Sequence, residues 1–373
     1  MSPMILIALI LQICVTNVIT GEYSEVVHNF KSIRKNVALS ILVIDGDESN
    51  IDSSSLSSAE FVKVPNIEDL YIINILNSLD KNIFTSLHRL QHLKIEENEL
   101  SYIGPAVWAG LDLEKLSLRN NQIEKLDNRA FDGLKASMID LSNNKLRTLP
   151  NKCLQSLRLY KLTLANNQLE DIDLETFGPE LAYADLSNNL LTSLDVEVFS
   201  GVYALLNLNL SGNKLTSIVA APTLKKLKVL NYSHNQISVI AGNAFDSYNQ
   251  LMELYLDHNQ IFRLNHQSFP SIAPIKKFTI DHNYLTGLSD ELLNALDNLA
   301  YLKFGGNPWS CKCLERVLEF IRSNKIGTDY CESKLIPQGH SCVNYYDKCY
   351  GNETKILSQN FEIYKNFIKH YEC

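Results

Sequence analysis

The sequence predicts an α/β repeat solenoid, curved, with a parallel sheet on its concave side and a disulfide-bonded helical cap at its C-terminal end. Three observations carry this expectation. The pattern L-x-x-L-x-L-x-x-N-x-L recurs along most of the chain, as in LEKLSLRNNQI (113–123) and LMELYLDHNQI (251–261). Its asparagines, Asn98, Asn121, Asn144, Asn167, Asn189, Asn213, Asn235, Asn259, Asn283 and Asn307, fall 22 to 24 residues apart. Six of the eight cysteines crowd the last 63 residues. A period of this length means stacked units, none of which can bury its apolar face alone.

The first element is a leader. MSPMILIALILQICVTNVIT carries an apolar run from Met4 to Val15, too short for a comfortable membrane span, and reads as a secretory signal peptide over residues 1–20. Cys14 would leave with it. Residues 21–66 follow as an irregular N-terminal cover that includes the Ser-rich stretch SNIDSSSLSS, although Leu39, Leu42 and Ile44 fit the strand of a first, irregular repeat.

The repeats occupy 67–306. In one of them Leu113, Leu116 and Leu118 point inward, whereas Glu114, Lys115, Ser117 and Arg119 point out, so each repeat adds a strand to a parallel sheet. The asparagine leaves the strand where backbone N–H and C=O groups lose ladder partners, and its amide can supply them. Ten residues later comes a second apolar row: Trp108, Phe131, Leu154, Phe177, Phe199, Phe245, Phe269 and Leu293. The row breaks after Ile218, where VAAPTLKKL offers Pro222 and no aromatic; this reads as a local change in the outer wall. Cys153 stands alone among the repeats as a partly buried thiol.

The cap spans 307–373. NPWSCKCLERVLEFIRSNK places Leu314, Val317, Leu318 and Ile321 on one helix face, and Leu357, Phe361, Tyr364, Ile368 and Tyr371 mark a second helix. Cys311, Cys313, Cys331, Cys342, Cys349 and Cys373 form a disulfide framework in a secreted chain, with 15 possible pairings. A zinc site drawn from Cys311, Cys313, His340 and Cys342 is the weaker reading, because secretion oxidises such thiols.

With these residues in place, the chain resembles the extracellular leucine-rich repeat superfamily, and N-P-W-S-C-K-C resembles the start of that superfamily's C-terminal flanking cap. The resemblance implies that Cys311 and Cys313 each bond one of Cys331, Cys342, Cys349 and Cys373. A repeat chain with no N-terminal cysteine cap is also similar to the secreted leucine-rich repeat immune proteins of mosquitoes, which partner a complement-like thioester protein. It departs from them in having no coiled coil after the repeats.

Lys and Arg number 34 against 42 Asp and Glu, for a net charge of −8 with no basic run. Nucleic acid and anionic membranes are therefore set aside as partners. No G-x-S-x-G, H-E-x-x-H, P-loop or G-x-G-x-x-G occurs, so neither an enzyme nor a cofactor is expected. Binding remains: an extracellular protein or glycan-bearing ligand held on the concave strands, in an immune or recognition role. The alternative is a soluble adhesion or matrix-organising protein of the small proteoglycan type. Sequons at Asn209, Asn231 and Asn352 predict glycosylation. Asn209 and Asn231 would project side by side and cover the middle of the sheet. Partner contacts then fall to Lys94, Arg119, Tyr160, Lys161 and Tyr183 on one side, or Tyr255, Asp257, Lys277 and Tyr301 on the other. An odd cysteine leaves a disulfide-linked dimer, or a non-covalent one, open. His234, His258 and His282 each precede a repeat asparagine and form a column, read as solvated surface ahead of a pH-sensitive contact or a metal site.

Overall fold

The computed structural model describes residues 24–28, 33–46, 58–270 and 273–329. They form two compact units, one running to Leu146 with Ser156–Leu159 added, the other comprising Arg147–Gln155 and the residues from Tyr160 onward. The signal peptide, the Ser-rich stretch up to residue 57, Cys331, Cys342, Cys349, Cys373, Asn352 and the second cap helix lie outside the described residues.

In the first unit the strands are β1 (Ser24–Val27), β2 (Ile41–Asp45), β3 (Asp69–Ile73), β4 (His92–Glu96), β5 (Tyr102–Ile103), β6 (Asp112–Ser117), β7 (Lys125–Leu126) and β8 (Lys135–Asp140), with one helical turn, α1 (Ser58–Phe61). β1-β2-β3-β4-β6-β8 make a parallel sheet, while β5 and β7 pair separately. Leu93, Leu116 and Ile139 face one another across successive strands and are buried, as the repeat pattern requires. The sheet begins earlier than a boundary at residue 67 implies. β2 pairs with β3 from Ile41 to Asp45, and β1 pairs with β2. Leu42 and Ile44 are fully buried there, so alternating apolar residues suffice to extend the ladder where the repeat's asparagine is missing.

The second unit carries β9 (Lys161–Thr163), β10 (Tyr183–Asp185), β11 (Asn207–Asn209), β12 (Val229–Asn231), β13 (Glu253–Tyr255), β14 (Lys277–Thr279) and β15 (Tyr301–Lys303), each parallel to the next. Their central residues, Leu162, Ala184, Leu208, Leu230, Leu254, Phe278 and Leu302, form one buried line. The opposite wall is mostly turns, with 3-10 turns at Val196–Phe199 and His266–Ser268 and a short helix α2 (Asp290–Ala295) capped by Ser289. A coil of 22 to 24 residues leaves too few for a long helix after its strand and turns.

Within each unit the repeat asparagines tie neighbouring coils together. Asn235 donates through Nδ2 to the carbonyls of Leu210 (2.9 Å) and Tyr232 (3.0 Å), and its Oδ1 accepts from Leu215 N–H at 3.0 Å. Asn98, Asn121, Asn144 and Asn189 do the same in their coils. The residue just before that asparagine has positive φ in coil after coil: Asn120 (56°), Asn143 (55°), Asn166 (57°), Asn188 (53°), His234 (55°), His258 (54°), His282 (52°). Asn, Gly and His tolerate this left-handed conformation better than bulkier or branched residues.

The second apolar row is buried throughout, from Trp108 to Leu293; Trp108 stacks on Phe84 at 5.8 Å, and Phe245 meets Phe269 at 4.9 Å with the ring planes tilted by 33°. After β15, α3 (Cys311–Ser323) buries Cys313, Leu314, Val317, Leu318 and Ile321, the predicted face. Gly327 then hydrogen-bonds Ala300 and Leu302 along the edge of β15. No described helix is long and apolar enough to cross a membrane.

Candidate recognition face

Because side chains alternate along a strand, each three-residue strand of the second unit shows two residues to the outer face of the sheet. Register aligns them into two columns: Lys161, Tyr183, Asn207, Val229, Glu253, Lys277 and Tyr301 in one, and Thr163, Asp185, Asn209, Asn231, Tyr255, Thr279 and Lys303 in the other.

Three predicted contact residues come together. Lys277 Nζ lies 5.0 Å from the centre of the Tyr255 ring and 5.6 Å from that of Tyr301. The Tyr255 hydroxyl donates to Glu253 and that of Tyr301 to Asp329, which fixes both rings. Burial, with Glu253 beside it, pushes the Tyr255 hydroxyl well above its ordinary pKa, so it stays a donor. Earlier along the same face, Tyr160 and Tyr183 lie 5.1 Å apart beside exposed Lys161. In the first unit, Lys94 sits over the ring of Tyr71 at 4.6 Å, and Arg119 is exposed. Tyr71 is absent from the sequence-predicted set, although it stands one repeat before Lys94 in register and could have been found on that ground.

Asp257 has a different character from its predicted neighbours. Its Oδ1 accepts from Ser233 Oγ (2.7 Å) and Thr279 Oγ1 (2.6 Å), and its Oδ2 meets His258 Nδ1 at 3.1 Å. Burial would raise its pKa, but the hydrogen bonds from Thr279, Ser233 and His258 outweigh that and hold it below the usual carboxylate range. It is an internal strut between coils. One coil later Asp281 keeps the contact with its histidine but not the two hydroxyls: it is fully buried and its Oδ2 meets His282 Nδ1 (2.9 Å) and Lys303 Nζ (3.2 Å).

The histidine column is an ordered stack. His234 and His258 lie 4.1 Å apart with ring planes 18° from parallel, and His258 and His282 lie 4.3 Å apart at 12°. Asn209 and Asn231 are partnered across β11 and β12, side by side on the outer face as their spacing predicts. Their Oδ1 atoms accept from Ser211 N–H (3.1 Å) and Ser233 N–H (2.8 Å), within their own sequons. Cys153 is a buried free thiol with its pKa pushed up by burial to about 12.

A ladder of parallel strands sewn by buried asparagines defines a repeat protein that displays side chains from a rigid sheet. The chain belongs to the leucine-rich repeat family, whose model, Leucine rich repeat, matches residues 65–123, 112–169, 158–215 and 219–261. Among solved structures it is similar to a leucine-rich repeat protein of Leptospira interrogans, at 24% identity and a TM-score of 0.55, over 79% of this chain and 84% of that one. It is similar to the leucine-rich repeat domain of APL1B at 20% identity and a TM-score of 0.60, over 94% of each chain. It is also similar to a chain of the glycosylated Toll–Spätzle complex of Drosophila, at 20% identity and a TM-score of 0.70, over 79% of this chain but 41% of that one. At such identities the likeness concerns the fold. No curated protein matches the chain.

Proposed function

We propose that the protein is a secreted recognition protein that binds a macromolecular partner, a protein or a glycan-bearing ligand, through the outer face of its strands, and that it serves innate immunity. The observation that carries this is the Tyr255–Lys277–Tyr301 cluster, where aromatic rings and a cation are held in place before any partner arrives. Such side chains are enriched among the residues that dominate interface energies, and fixing them beforehand lowers the entropic cost of binding.

Supporting features lie in the sequence. The apolar leader and the three sequons favour secretion and glycosylation, with Asn209 and Asn231 crowding the middle of the face. On this reading Cys311 and Cys313 pair with later cysteines to close a C-terminal cap. The immune role leans on the resemblance to the mosquito proteins and on the likeness to APL1B; the Drosophila complex is described as a hub of development and innate immunity.

The test is capture of partners from the source organism's body fluid by the whole chain and by two variants. Replacing Tyr255, Lys277 and Tyr301 together with Ala is expected to abolish capture of whatever the wild type retains. Replacing Lys145, an exposed residue outside the strands, should leave it intact. Equal capture by all three would place binding elsewhere.

A further inference from the structure

Seven coils of the family pattern need only a residue that tolerates positive φ before their asparagine. Three successive coils instead place histidine there, and the two later ones put an aspartate just ahead of it. The result is a ladder, His234–Asp257–His258–Asp281–His282, in which His234, Asp257 and His258 offer one ligand atom each, all within 4.8 Å of one another, and His258, Asp281 and His282 do the same. We propose that this ladder binds one divalent transition-metal ion of the zinc class, with His258 as the ligand common to both triads.

The donor set is two imidazoles and a carboxylate, which selects borderline ions over calcium or magnesium, since those require cages of oxygen. Two imidazole nitrogens on a tetrahedral zinc lie about 3.4 Å apart. The rings, 4.1 and 4.3 Å apart, therefore need only tilt toward each other. The supporting groups suit a metal site. Ser233 and Thr279 hold Oδ1 of Asp257, which orients its other oxygen toward His258, as partners behind a ligand do. Asp281 is fully buried, and its Oδ1 has no hydrogen-bond partner among the described residues. Lys303 Nζ and His282 Nδ1 meet its other oxygen, Oδ2, so Oδ1 is the buried oxygen left for an ion, and leaving it without a partner is costly. The ring edges remain open to solvent: the side chains of His258 and His282 are 38% and 53% exposed, so an ion can enter and complete its coordination with water.

The left-handed backbone supplies a clean variant. Asn occupies the equivalent position, with the same φ, at 120, 143, 166 and 188, so His258→Asn removes the shared ligand and keeps the backbone. Calorimetric titration of the metal-stripped full chain with zinc chloride should show one ion bound, with Kd about 10 μM or tighter. His258→Asn should weaken it at least about tenfold, as should one of His234→Asn and His282→Asn but not the other, since a single ion occupies one triad. His92→Asn, on a different unit, should leave it unchanged. Zinc should also raise the Tm of the wild type and not that of His258→Asn, while millimolar calcium should neither bind nor compete. Zinc binding that survives His258→Asn, or no binding by the wild type at this affinity, would overturn the proposal.

Discussion

The hydroxyl of Tyr248 donates to the carbonyl of Val219 at 2.5 Å, and accepts from the N–H of Ala221 at 3.0 Å. In the same coil, directly after β12, the Tyr232 hydroxyl accepts from the N–H of Val219 at 3.0 Å. These bonds explain how the irregular VAAPTLKKL segment is tolerated. Where the outer row lacks its aromatic, two buried tyrosines fill the space and satisfy the backbone that Pro222 leaves out of any helix. Tyr248→Phe strands those groups and should cost about 1–3 kcal/mol in urea unfolding. Tyr203→Phe, at a ring 61% exposed, should cost less than about 0.5 kcal/mol.

Leu254 is fully buried between Leu230 and Phe278 on the flanking strands. Leu254→Ala should therefore destabilise by about 2–5 kcal/mol. Exposed Lys161→Ala should change stability by less than about 0.5 kcal/mol. Equal losses would mean that the strand register is wrong.

Asn235→Ala removes both the donor and the acceptor that join its coil to the preceding one, leaving buried carbonyls of Leu210 and Tyr232 and the N–H of Leu215 short of partners. We expect a loss of about 3 kcal/mol or more, since each stranded buried group costs about 1–3 kcal/mol. Amide exchange near Leu215 should accelerate with it.

Alkali should unfold the protein. Burial raises the Cys153 thiol and the Tyr248 hydroxyl each to about 12. In the unfolded chain they ionise near about 8.5 and 10. Above those values the unfolded state loses protons that the native state keeps, so stability is full below about pH 8.5 and falls toward pH 12. Tyr248→Phe should flatten the upper part of that fall. In the native state at pH 8, Cys153 should resist iodoacetamide and react only after denaturation.

Much of this was legible from spacing alone. The inward leucines, the bonding asparagines and the second apolar row follow from a period that leaves each position one environment. What escaped the sequence depended on partners far along the chain. Tyr232 and Tyr248 look like substitutes for leucine until the loop they support is known. Asp257 looks like an exposed contact residue until the hydroxyls of Ser233 and Thr279, each one repeat away, close on it. Leu39, Leu42 and Ile44 already pointed to β2, but β1 was hidden because it lacks both the repeat's spacing and its asparagine.

Whether partners bind the outer strand face can be asked with a single glycan. Thr279 stands two residues after Lys277, so Lys277→Asn completes an N-x-T sequon between the Tyr255 and Tyr301 rings. Expressed through a eukaryotic secretory pathway and confirmed by mass to carry the sugar, this variant should bind the captured partner at least about tenfold more weakly than the wild type. Unchanged affinity with the glycan in place would contradict recognition through this face.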